Sequence, residues 1–329
     1  MKSKKRLLIT GGLGFIGIHT VRRLYSKYEI VIIDFDDSPK SIRYKEELNK
    51  TNVEIYQKDI ADSNTWTIIP PCDYILHAAA QVSAVISEND PVTDFKSNAY
   101  GTLLVAEYAR KHSASVIYCN SMRIYDPISI KKEMQKGNKV SENCNTIEKL
   151  SKPKPPFALS KRMGELYLSY YANKYNFNVI SHRMSSIVGP AQNGSKIHGW
   201  LVNIIKCAIT GEEYTIYGDG KQTRDILYID DFLDIIEMEL ENFKHFADGK
   251  FTVYNVGGGP KNELSILETI GILKKEYNLK LSYKFGKARQ DEPKHYVSDI
   301  SKIIRNGWRP KYKDPKQIIN KLIDFYKGS

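Results

Sequence analysis

Three glycines near the start of the chain have a spacing that could bind the pyrophosphate of a dinucleotide: Gly11, Gly14 and Gly17. They follow a run of apolar residues at 7–10 and precede a periodic apolar stretch, so the sequence predicts a buried strand, a tight turn and a helix. This geometry directs backbone N–H groups and the positive end of a helix at a phosphate. Gly11 permits the turn, Gly14 leaves room for the phosphate, and Gly17 lets the helix pack on the strand.

An aspartate supplies the second half of this pattern. Asp34 ends the next predicted strand, about 20 residues beyond the glycines, where a carboxylate can hold the hydroxyls of the adenosine ribose. A carboxylate at this position repels a 2′-phosphate, which favours NAD over NADP. A turn with a solvated aspartate is the alternative interpretation.

Composition limits the class of protein. The 329 residues suffice for a large core and predict one α/β domain with a smaller lobe. No stretch approaches the roughly 18 apolar residues of a membrane helix, and the first strand begins too early for a signal peptide. We therefore expect a cytoplasmic protein. The four cysteines are widely spaced without a CxxC pair, which indicates free thiols rather than disulfides or a metal site.

The net charge of +11 raises the question of nucleic-acid binding. The lysines are scattered, and no arginine stripe interleaved with aromatic residues is present, so we expect no nucleic-acid partner. The charge is typical of a lysine-rich surface, and a basic cleft for a small molecule with a diphosphate is also compatible with it.

Predicted strands and helices alternate through the first half of the chain, which indicates an α/β fold with a doubly wound parallel sheet. A predicted strand at 73–77 runs into small residues that would allow a cofactor to lie close to the edge of this sheet. Ordinary close packing of a helix on the sheet is an equally good explanation. The residues concerned are Ala78, Ala79, Ala80 and Gln81.

The segment at 10–17, in the form TGGxGFIG, resembles the extended short-chain dehydrogenase/reductase family, and further segments match in order to about residue 310. The resemblance implies a Rossmann fold, NAD as cofactor and a nucleotide-diphosphate sugar as substrate. Asparagine has a poor helix propensity, so Asn98, within a helix predicted at 91–111, is expected to hold loop backbone beneath the cofactor, as in the family. The other cofactor-binding residues that the resemblance implies are Phe15, Ile16, Asp59, Ile60 and Met184.

The catalytic segments of the family match at two positions and differ at one. The segment S-[ST]-x-x-[VI]-Y corresponds to 120–125 and assigns binding of the reacting sugar hydroxyl to Ser121. The YxxxK signature matches at Lys161, which the family uses to bind the nicotinamide ribose, but its tyrosine is replaced by Phe157. A tyrosine beside a lysine ammonium has a lowered pKa and takes a proton from the sugar hydroxyl while hydride leaves the carbon. Phe157 keeps the ring and lacks this acid–base group.

We interpret Phe157 as the mark of an engineered tyrosine-to-phenylalanine variant, because phenylalanine preserves the shape of the ring and the other parts of the cofactor site are intact. Two alternatives remain open. In the first, the chain is a natural homologue that lost hydride chemistry. In the second, it is an enzyme that uses another acid, such as Tyr125.

The resemblance also implies a set of substrate-binding residues. Arg224 and Arg289 are expected to bind the diphosphate, since the guanidinium fork matches phosphate oxygens. His198 or Trp200 is expected to line the sugar or base pocket, and a plain core tryptophan is the alternative. The remaining expected contacts are Ser83, Arg123 and Ser186.

The reaction class follows from what stands beside Ser121. Family members that catalyse dehydration or decarboxylation carry Asp or Glu directly after the catalytic Ser/Thr, whereas this chain has Met122 and Arg123. Epimerisation through a transient keto-sugar is therefore expected, and several segments look most similar to CDP-paratose (CDP-tyvelose) 2-epimerases. Two other functions compete: an NAD-dependent dehydrogenase or reductase of a nucleotide sugar, and a non-catalytic NAD-binding protein.

The expected domains are an NAD-binding domain at 1–184, with returning segments at about 225–258, and a substrate lobe at 185–224 and 259–329. The polar stretch at 126–156 is predicted to form a flap. A homodimer or higher homo-oligomer is expected from the resemblance, through helices at about 95–111 and 158–175. An apolar stripe at helical spacing on the second helix fits this interface, although the stripe could also be core. Its members are Met163, Leu166, Tyr167, Tyr170 and Tyr171.

Overall fold

Thirteen strands and fourteen helices are present in the part of the chain that the computed structural model describes, which is residues 4–49, 51–147, 154–195, 198–289 and 292–328. The strands are β1 (Arg6–Thr10), β2 (Glu29–Asp34), β3 (Glu54–Gln57), β4 (Tyr74–His77), β5 (Ser115–Ser121), β6 (Val179–Met184), β7 (Ser186–Val188), β8 (Tyr214–Tyr217), β9 (Thr223–Tyr228), β10 (Phe251–Val256), β11 (Glu263–Ser265), β12 (Tyr283–Gly286) and β13 (His295–Tyr296). The helices are α1 (Phe15–Leu24), α2 (Pro39–Leu48), α3 (Thr65–Ile68), α4 (Ala84–Asn89), α5 (Pro91–Phe95), α6 (Gly101–His112), α7 (Pro127–Gly137), α8 (Pro156–Tyr175), α9 (Trp200–Thr210), α10 (Ile229–Glu241), α11 (Phe243–Phe246), α12 (Ile266–Tyr277), α13 (Ser301–Arg305) and α14 (Pro315–Lys327).

A seven-stranded sheet has the order β10-β6-β5-β4-β1-β2-β3. β1 pairs in parallel with β2 on one side and with β4 on the other, so the strand order reverses between β1 and β4. Leu7 faces Ile30 in one ladder and Tyr74 in the other. The predicted doubly wound sheet is confirmed, and ligands of such sheets bind at the point of reversal, beyond the carboxyl ends of the strands.

Burial of apolar side chains on both faces holds this sheet in place. Leu8 and Ile75 from the strands pack with Val105, Ala109 and their neighbours from the flanking helices into one cluster. Burying each such aliphatic side chain stabilises the fold by about 1.5–3 kcal/mol. The residues that alternate with them, such as Leu7 and Leu76, are also fully buried, which explains why continuous apolar runs predict these strands.

The helix predicted at 91–111 is interrupted. α5 passes into a π-helical turn at Lys96–Tyr100 before α6 begins, so the single helix of the prediction is wrong in this detail. A π-helical turn contains one residue more than the α-helix would accommodate, and such turns are common at functional sites. Asn98 lies in the turn and is buried.

The chain divides into two units. Unit 1 comprises Met1–Ile124, Pro155–Arg183 and Leu233–Tyr254, and unit 2 comprises Tyr125–Lys154, Met184–Phe232 and Asn255–Ser329. This grouping differs from the expected domains in two places. Residues 125–154 belong with unit 2 instead of the NAD-binding domain, and the returning segment begins at Leu233 instead of about 225. The cause is backbone pairing within unit 2, since Val140 N donates to Val297 O and Asp299 N donates to Val140 O, both at 2.8 Å.

The polar stretch predicted as a flap contains helix α7, capped at its N-terminus by the Asp126 side chain. Near the other end of the stretch, Lys154 Nζ lies 3.1 Å from Asp126 Oδ1 and forms an ion pair with it. Residues 148–153 of the stretch lie outside the described part of the chain. Unit 2 also contains the strand order β11-β9-β13, with β7 beside β9, and the pair β8–β12.

None of the helices in the described residues has both the length and the apolar character needed to cross a membrane.

Candidate active site

The glycine turn leaves the N-terminus of α1 open. Gly11 has a φ of +70°, and the N-cap residue of α1, Gly14, supplies no side chain to the helix N–H groups. A Cβ at Gly17 would lie 2.2 Å from Gly11 O, so the fold itself requires glycine there, whereas a Cβ at Gly14 would lie 3.2 Å from the same atom. The missing side chain at Gly14 therefore clears space above the donors of the first turn, which Phe15 and Ile16 begin. This cradle fits a pyrophosphate.

Asp34 lies at the end of β2 and is linked to the glycine turn. Its Oδ2 accepts from Leu13 N at 2.9 Å and its Oδ1 accepts from Asp36 N at 3.0 Å. Burial raises the pKa of Asp34, although both backbone donors act in the opposite direction. A carboxylate held by two amides keeps lone pairs for ribose hydroxyls.

Asp59 and Ile60 follow β3 and differ in their surroundings. Asp59 is exposed, and its Oδ1 accepts from Ala61 N at 2.8 Å. Ile60 is buried against α6, where a Cβ on Gly101 would lie 2.7 Å from its Cδ1. The structure thus orders the turn through Asp59 and anchors it through Ile60.

The loop after β4 passes close to the glycine turn. Ala78 N donates to Thr10 O at 3.1 Å, and Ala79 N donates to Thr10 Oγ1 at 3.2 Å. A Cβ on Gly11 would lie 2.8 Å from the backbone of Ala79. Ala79 and the half-buried Ala80 therefore belong to a backbone layer that only small residues allow.

Asn98 supports this loop from below. Its Oδ1 accepts from Gln81 N at 2.9 Å, and its Nδ2 donates to Gln81 O at 3.0 Å. The same Nδ2 reaches Asp94 Oδ1 at 3.0 Å and Ser160 Oγ at 3.3 Å. Asn98 thus joins the loop, the π-helical turn and α8 in one buried cluster.

Lys161 lies on α8 and is only 3% exposed. Its Nζ donates to Cys119 O at 2.7 Å and stands 4.4 Å from the centre of the Tyr118 ring. Burial lowers the pKa of Lys161 to about 8, although nearby acidic groups act in the opposite direction. The amine is therefore fixed beside the end of β5.

Ser121 is the last residue of β5 and is held through its neighbours. Its N–H donates to Asn120 Oδ1 at 2.9 Å, and its Oγ accepts from Arg123 N at 3.2 Å. Because the Ser121 hydroxyl is the acceptor in that bond, its proton remains available for donation to a ligand. Arg123 lies in the short 3₁₀ turn that follows the strand.

A fully buried carboxylate fixes Asn120 in turn. Glu165 Oε1 accepts from Asn120 Nδ2 at 2.9 Å and from Ser181 Oγ at 2.8 Å. Arg183 and Arg162 also donate to Glu165, at 3.0 and 2.5 Å from Oε2. Burial opposes the charge, but the two guanidinium groups and the hydroxyl outweigh it, and the pKa of Glu165 is lowered.

Phe157 lies in the first turn of α8, the helix that carries Lys161 and Glu165, and is 7% exposed. Its N–H donates to Ser87 Oγ at 3.2 Å, so Ser87 from α4 caps the N-terminus of α8. The ring is one helical turn before Lys161, as the family signature requires of the tyrosine. The Tyr125 hydroxyl is buried and donates to Asn255 Oδ1 at 2.7 Å.

The expected substrate residues occur in both units. Ser83 in unit 1 is 3% exposed and caps α4 by accepting from Ile86 N at 3.3 Å. In unit 2, Trp200 Nε1 donates to Ser186 Oγ at 3.3 Å, so these two residues are together, whereas His198 is exposed. Met184, which was predicted to bind the cofactor rather than the substrate, ends β6 and is half-buried.

The two arginines expected at the diphosphate both lie in unit 2. Arg224 on β9 is 8% exposed and donates to Glu292 Oε1 at 3.1 Å and to Thr223 O at 2.7 Å. The Arg289 guanidinium stands 4.7 Å from the centre of the Tyr217 ring. Both positive groups are thus held in defined positions, one by a carboxylate and one by an aromatic ring.

Comparison with known proteins identifies the family. The model of the NAD dependent epimerase/dehydratase family matches residues 7–257. The chain belongs to this family. It is 27% identical to CDP-paratose 2-epimerase of Salmonella typhi, covering 97% of this chain and 98% of that protein. It is 29% identical to human dTDP-D-glucose 4,6-dehydratase, covering 98% and 90%.

Two solved structures resemble the whole chain. The UDP-N-acetylglucosamine 4-epimerase of Methanobrevibacter ruminantium has a TM-score of 0.83 and 26% identity, covering 99% of this chain and 98% of that one. A tyrosine-to-phenylalanine mutant of Bacillus cereus UDP-glucuronic acid 4-epimerase has a TM-score of 0.84 and 25% identity, covering 98% and 99%. The family uses NAD, and the cradle at Gly14 fits that cofactor.

The sequence patterns did not predict some of the residues that support the site of this epimerase/dehydratase family member. Glu165, Asn120 and Asp94 carry the hydrogen bonds beneath the site, and none was predicted. Glu165 did offer a signal, because it stands four residues after Lys161 and so on the same face of the helix. A metal site was not expected, and no group of acidic, histidine or cysteine side chains within the described ranges could hold one.

Proposed function

We propose that this protein is an NAD-dependent epimerase of a nucleotide-diphosphate sugar that acts through a transient keto-sugar. The observation that carries the proposal is the arrangement at the end of β5, where Ser121 and the amine of Lys161 are fixed by the same strand end. Bound NAD would supply the hydride acceptor for oxidation of a ring carbon and, after the keto-sugar turns, the hydride donor for its reduction from the opposite face. The absence of an acid at Met122 and Arg123 favours epimerisation over elimination.

Each residue has a defined task in this proposal. Ser121 binds the sugar hydroxyl that reacts, and Lys161 binds the nicotinamide ribose and lowers the pKa of a phenol at position 157. Arg224 and Arg289 bind the diphosphate, with Arg224 exchanging its bond to Glu292 for one to phosphate. Ser186, His198 and Trp200 line the sugar or base pocket.

We propose that Phe157 replaces a tyrosine of an active parent enzyme, so that this chain binds its ligands with impaired hydride chemistry. The buried ring and its capped N–H support a shape-conserving replacement. A solved relative is itself a tyrosine-to-phenylalanine mutant, in complex with NAD and a fluorinated UDP-sugar. A natural family member that binds NAD without catalysis is the second candidate, which the phenylalanine also permits.

The substrate is proposed to be a CDP-sugar epimerised at carbon 2, in line with the similarity to CDP-paratose 2-epimerase. The test is thermal unfolding with NAD present, across CDP-, UDP-, GDP- and dTDP-sugars, since a ligand of the native state raises its stability by mass action. A rise of the unfolding midpoint that is confined to CDP-sugars supports the proposal. A rise with sugars of another base instead identifies that base as the one in the substrate. Stabilisation by NAD alone favours the non-catalytic candidate, and stoichiometric NADH formation in the Phe157→Tyr variant favours a dehydrogenase.

We also propose a homodimer through α6 and α8. Met163, Leu166, Tyr167 and Tyr170 are 37–55% exposed, so the interpretation of this stripe as core is wrong for these four residues. Phe95 at the end of α5 and Tyr100 at the end of the π-helical turn, both just before α6, are exposed as well. A contiguous apolar face of this kind marks an interface, and a second copy of the same face would cover it.

The dimer is tested by sedimentation velocity of the Tyr170→Glu variant. A charge at the centre of the face should convert a dimer into a monomer. Phe285→Glu, which alters a 60% exposed aromatic residue in unit 2, is the matched control and should leave the dimer intact. A monomeric parent protein would contradict the proposal.

A further inference from the structure

A second carboxylate lies beside the ribose-binding position. Asp36 follows Asp34 by two residues and accepts three hydrogen bonds at the N-terminus of α2: from Ser38 N at 2.9 Å, Ser38 Oγ at 2.9 Å and Ser41 Oγ at 2.5 Å. Ser38 is the N-cap of this ten-residue helix. The positive end of a helix and its free donors attract an anion, and here the chain's own carboxylate takes that place.

Asp36 is linked to Asp34 directly. Its N–H donates to Asp34 Oδ1 at 3.0 Å, and its negative charge is among the influences that raise the pKa of Asp34. Burial acts to raise the pKa of Asp36 itself, but the Ser41 and Ser38 donors outweigh it, and that pKa is lowered. Asp36 is therefore an anion at neutral pH in a fixed position.

A 2′-phosphate on the adenosine ribose would enter this region with up to two negative charges. Asp34 opposes it with a single charge, and burial favours the protonated form of that carboxyl because it raises the pKa of Asp34. Asp36 adds a charge that three donors hold in place. It also occupies donors, Ser38 and Ser41, that are suited to phosphate oxygens.

We propose that Asp36 is a second residue that determines the preference for NAD over NADP. The inference deepens the assignment of NAD to this family member and depends on neither the identity of the sugar nor the origin of Phe157.

The experiment is isothermal titration of NAD⁺ and NADP⁺ into the parent protein and the Asp36→Asn variant. At low ionic strength, about 0.01 M, loss of this negative charge predicts that the variant binds NADP⁺ about threefold to fivefold more tightly, while its affinity for NAD⁺ changes by less than about twofold. Asp37→Asn is the matched control, since it makes the same charge change at an adjacent exposed position, and it should alter neither affinity by more than about twofold.

Asp36→Ser is a second neutral replacement, and circular dichroism confirms that α2 is retained in both variants. The titrations are repeated at about 1 M salt, where the screening length falls to about 3 Å, and the gain in NADP⁺ affinity should then largely disappear.

An unchanged NADP⁺ affinity in both Asp36 variants overturns the inference, as does an equal gain in Asp37→Asn or a gain that persists at high salt. A parent protein that binds NAD⁺ tightly while showing one of these results refutes the role of Asp36 and leaves the cofactor assignment standing. A parent protein that binds neither dinucleotide refutes both.

Discussion

The two ends of the cofactor site in unit 1 are built in different ways. The end at the glycine turn and Asp34 consists of backbone amides, missing side chains and one carboxylate, all within residues 10–34. The end at Lys161 and Ser121 depends on side chains from β5 and α8, joined by Glu165. In the proposed function, the second end carries Phe157 at the position where the family signature has a tyrosine, whereas the first end matches its expected pattern at every glycine and at Asp34. If the proposed function is correct, a change at position 157 alters the hydride chemistry while the glycine turn and Asp34 still bind the adenosine half of NAD.

The sharpest test of this separation is to restore the phenol. Phe157→Tyr should raise the rate of epimerisation by about 10²–10⁴, because a positioned acid–base group contributes that much. The affinity for NAD⁺ should change by less than about twofold, since the glycine turn and Asp34 are untouched. Turnover is followed by NMR of the nucleotide sugar identified by thermal unfolding, and binding by titration. No gain in turnover would contradict the proposal that Phe157 replaces a catalytic tyrosine.

A second test breaks the support beneath Ser121. Glu165→Gln leaves Arg183 and Arg162 without their buried carboxylate and should lower the free energy of unfolding by about 3–5 kcal/mol, measured in urea. Glu107→Gln is the matched control, since Glu107 pairs with Arg110 at side-chain exposures of 39% and 42% and should cost less than about 1 kcal/mol. Equal losses in the two variants would contradict the role given to the buried cluster.

A third test separates the two uses of glycine in the turn. Gly17→Ala places a methyl group 2.2 Å from Gly11 O, so the backbone must move and stability should fall by about 1–3 kcal/mol. Gly14→Ala meets the same oxygen at 3.2 Å, and its loss of stability should be under about 1 kcal/mol. NAD⁺ affinity should nevertheless fall in both variants. In Gly17→Ala the glycine turn must move, and in Gly14→Ala the methyl group fills the space of the phosphate. Thermal unfolding and titration of NAD⁺ measure the two effects, and unchanged affinity in Gly14→Ala would refute the cradle.

The smallest expected effect concerns pH. Burial lowers the pKa of Lys161 to about 8, from 10.5 for an ordinary lysine. Between these values the unfolded chain binds more protons at this residue than the folded chain, so this lysine's contribution to stability rises with pH and its cost is largest below pH 8. Lys161→Met should therefore be more stable than the parent at pH 7, by about 1 kcal/mol after loss of the bond to Cys119 O, and by pH 10 the parent should be the more stable of the two. A difference that is constant with pH would contradict the assignment.

The sequence allowed the first end of the site to be predicted in detail, because Gly11, Gly14, Gly17 and Asp34 act through local geometry. Lys161 and Ser121 followed only from the resemblance to a family. The bond between Asn120 and Glu165 joins residues 45 positions apart, and no local pattern specifies which helix packs on which strand end. The π-helical turn was missed for a related reason, since helix propensity does not register one additional residue.

The grouping of 125–154 with unit 2 also escaped prediction. It depends on Val140 pairing with Val297 and on the Tyr125 hydroxyl reaching Asn255, which are contacts across more than a hundred residues.

The π-helical turn fixes the length of the chain at this point as well as its shape. Removing one residue from Lys96–Tyr100 would convert the turn to an α-helix and rotate α5 by about 100° relative to α6. Asp94 would then leave the face on which it meets Asn98, and the asparagine amide would lose Gln81. In a sequence alignment, a gap within these five residues would therefore report a different cofactor loop more reliably than most changes of residue type, and a redesign of this helix must conserve its count of residues.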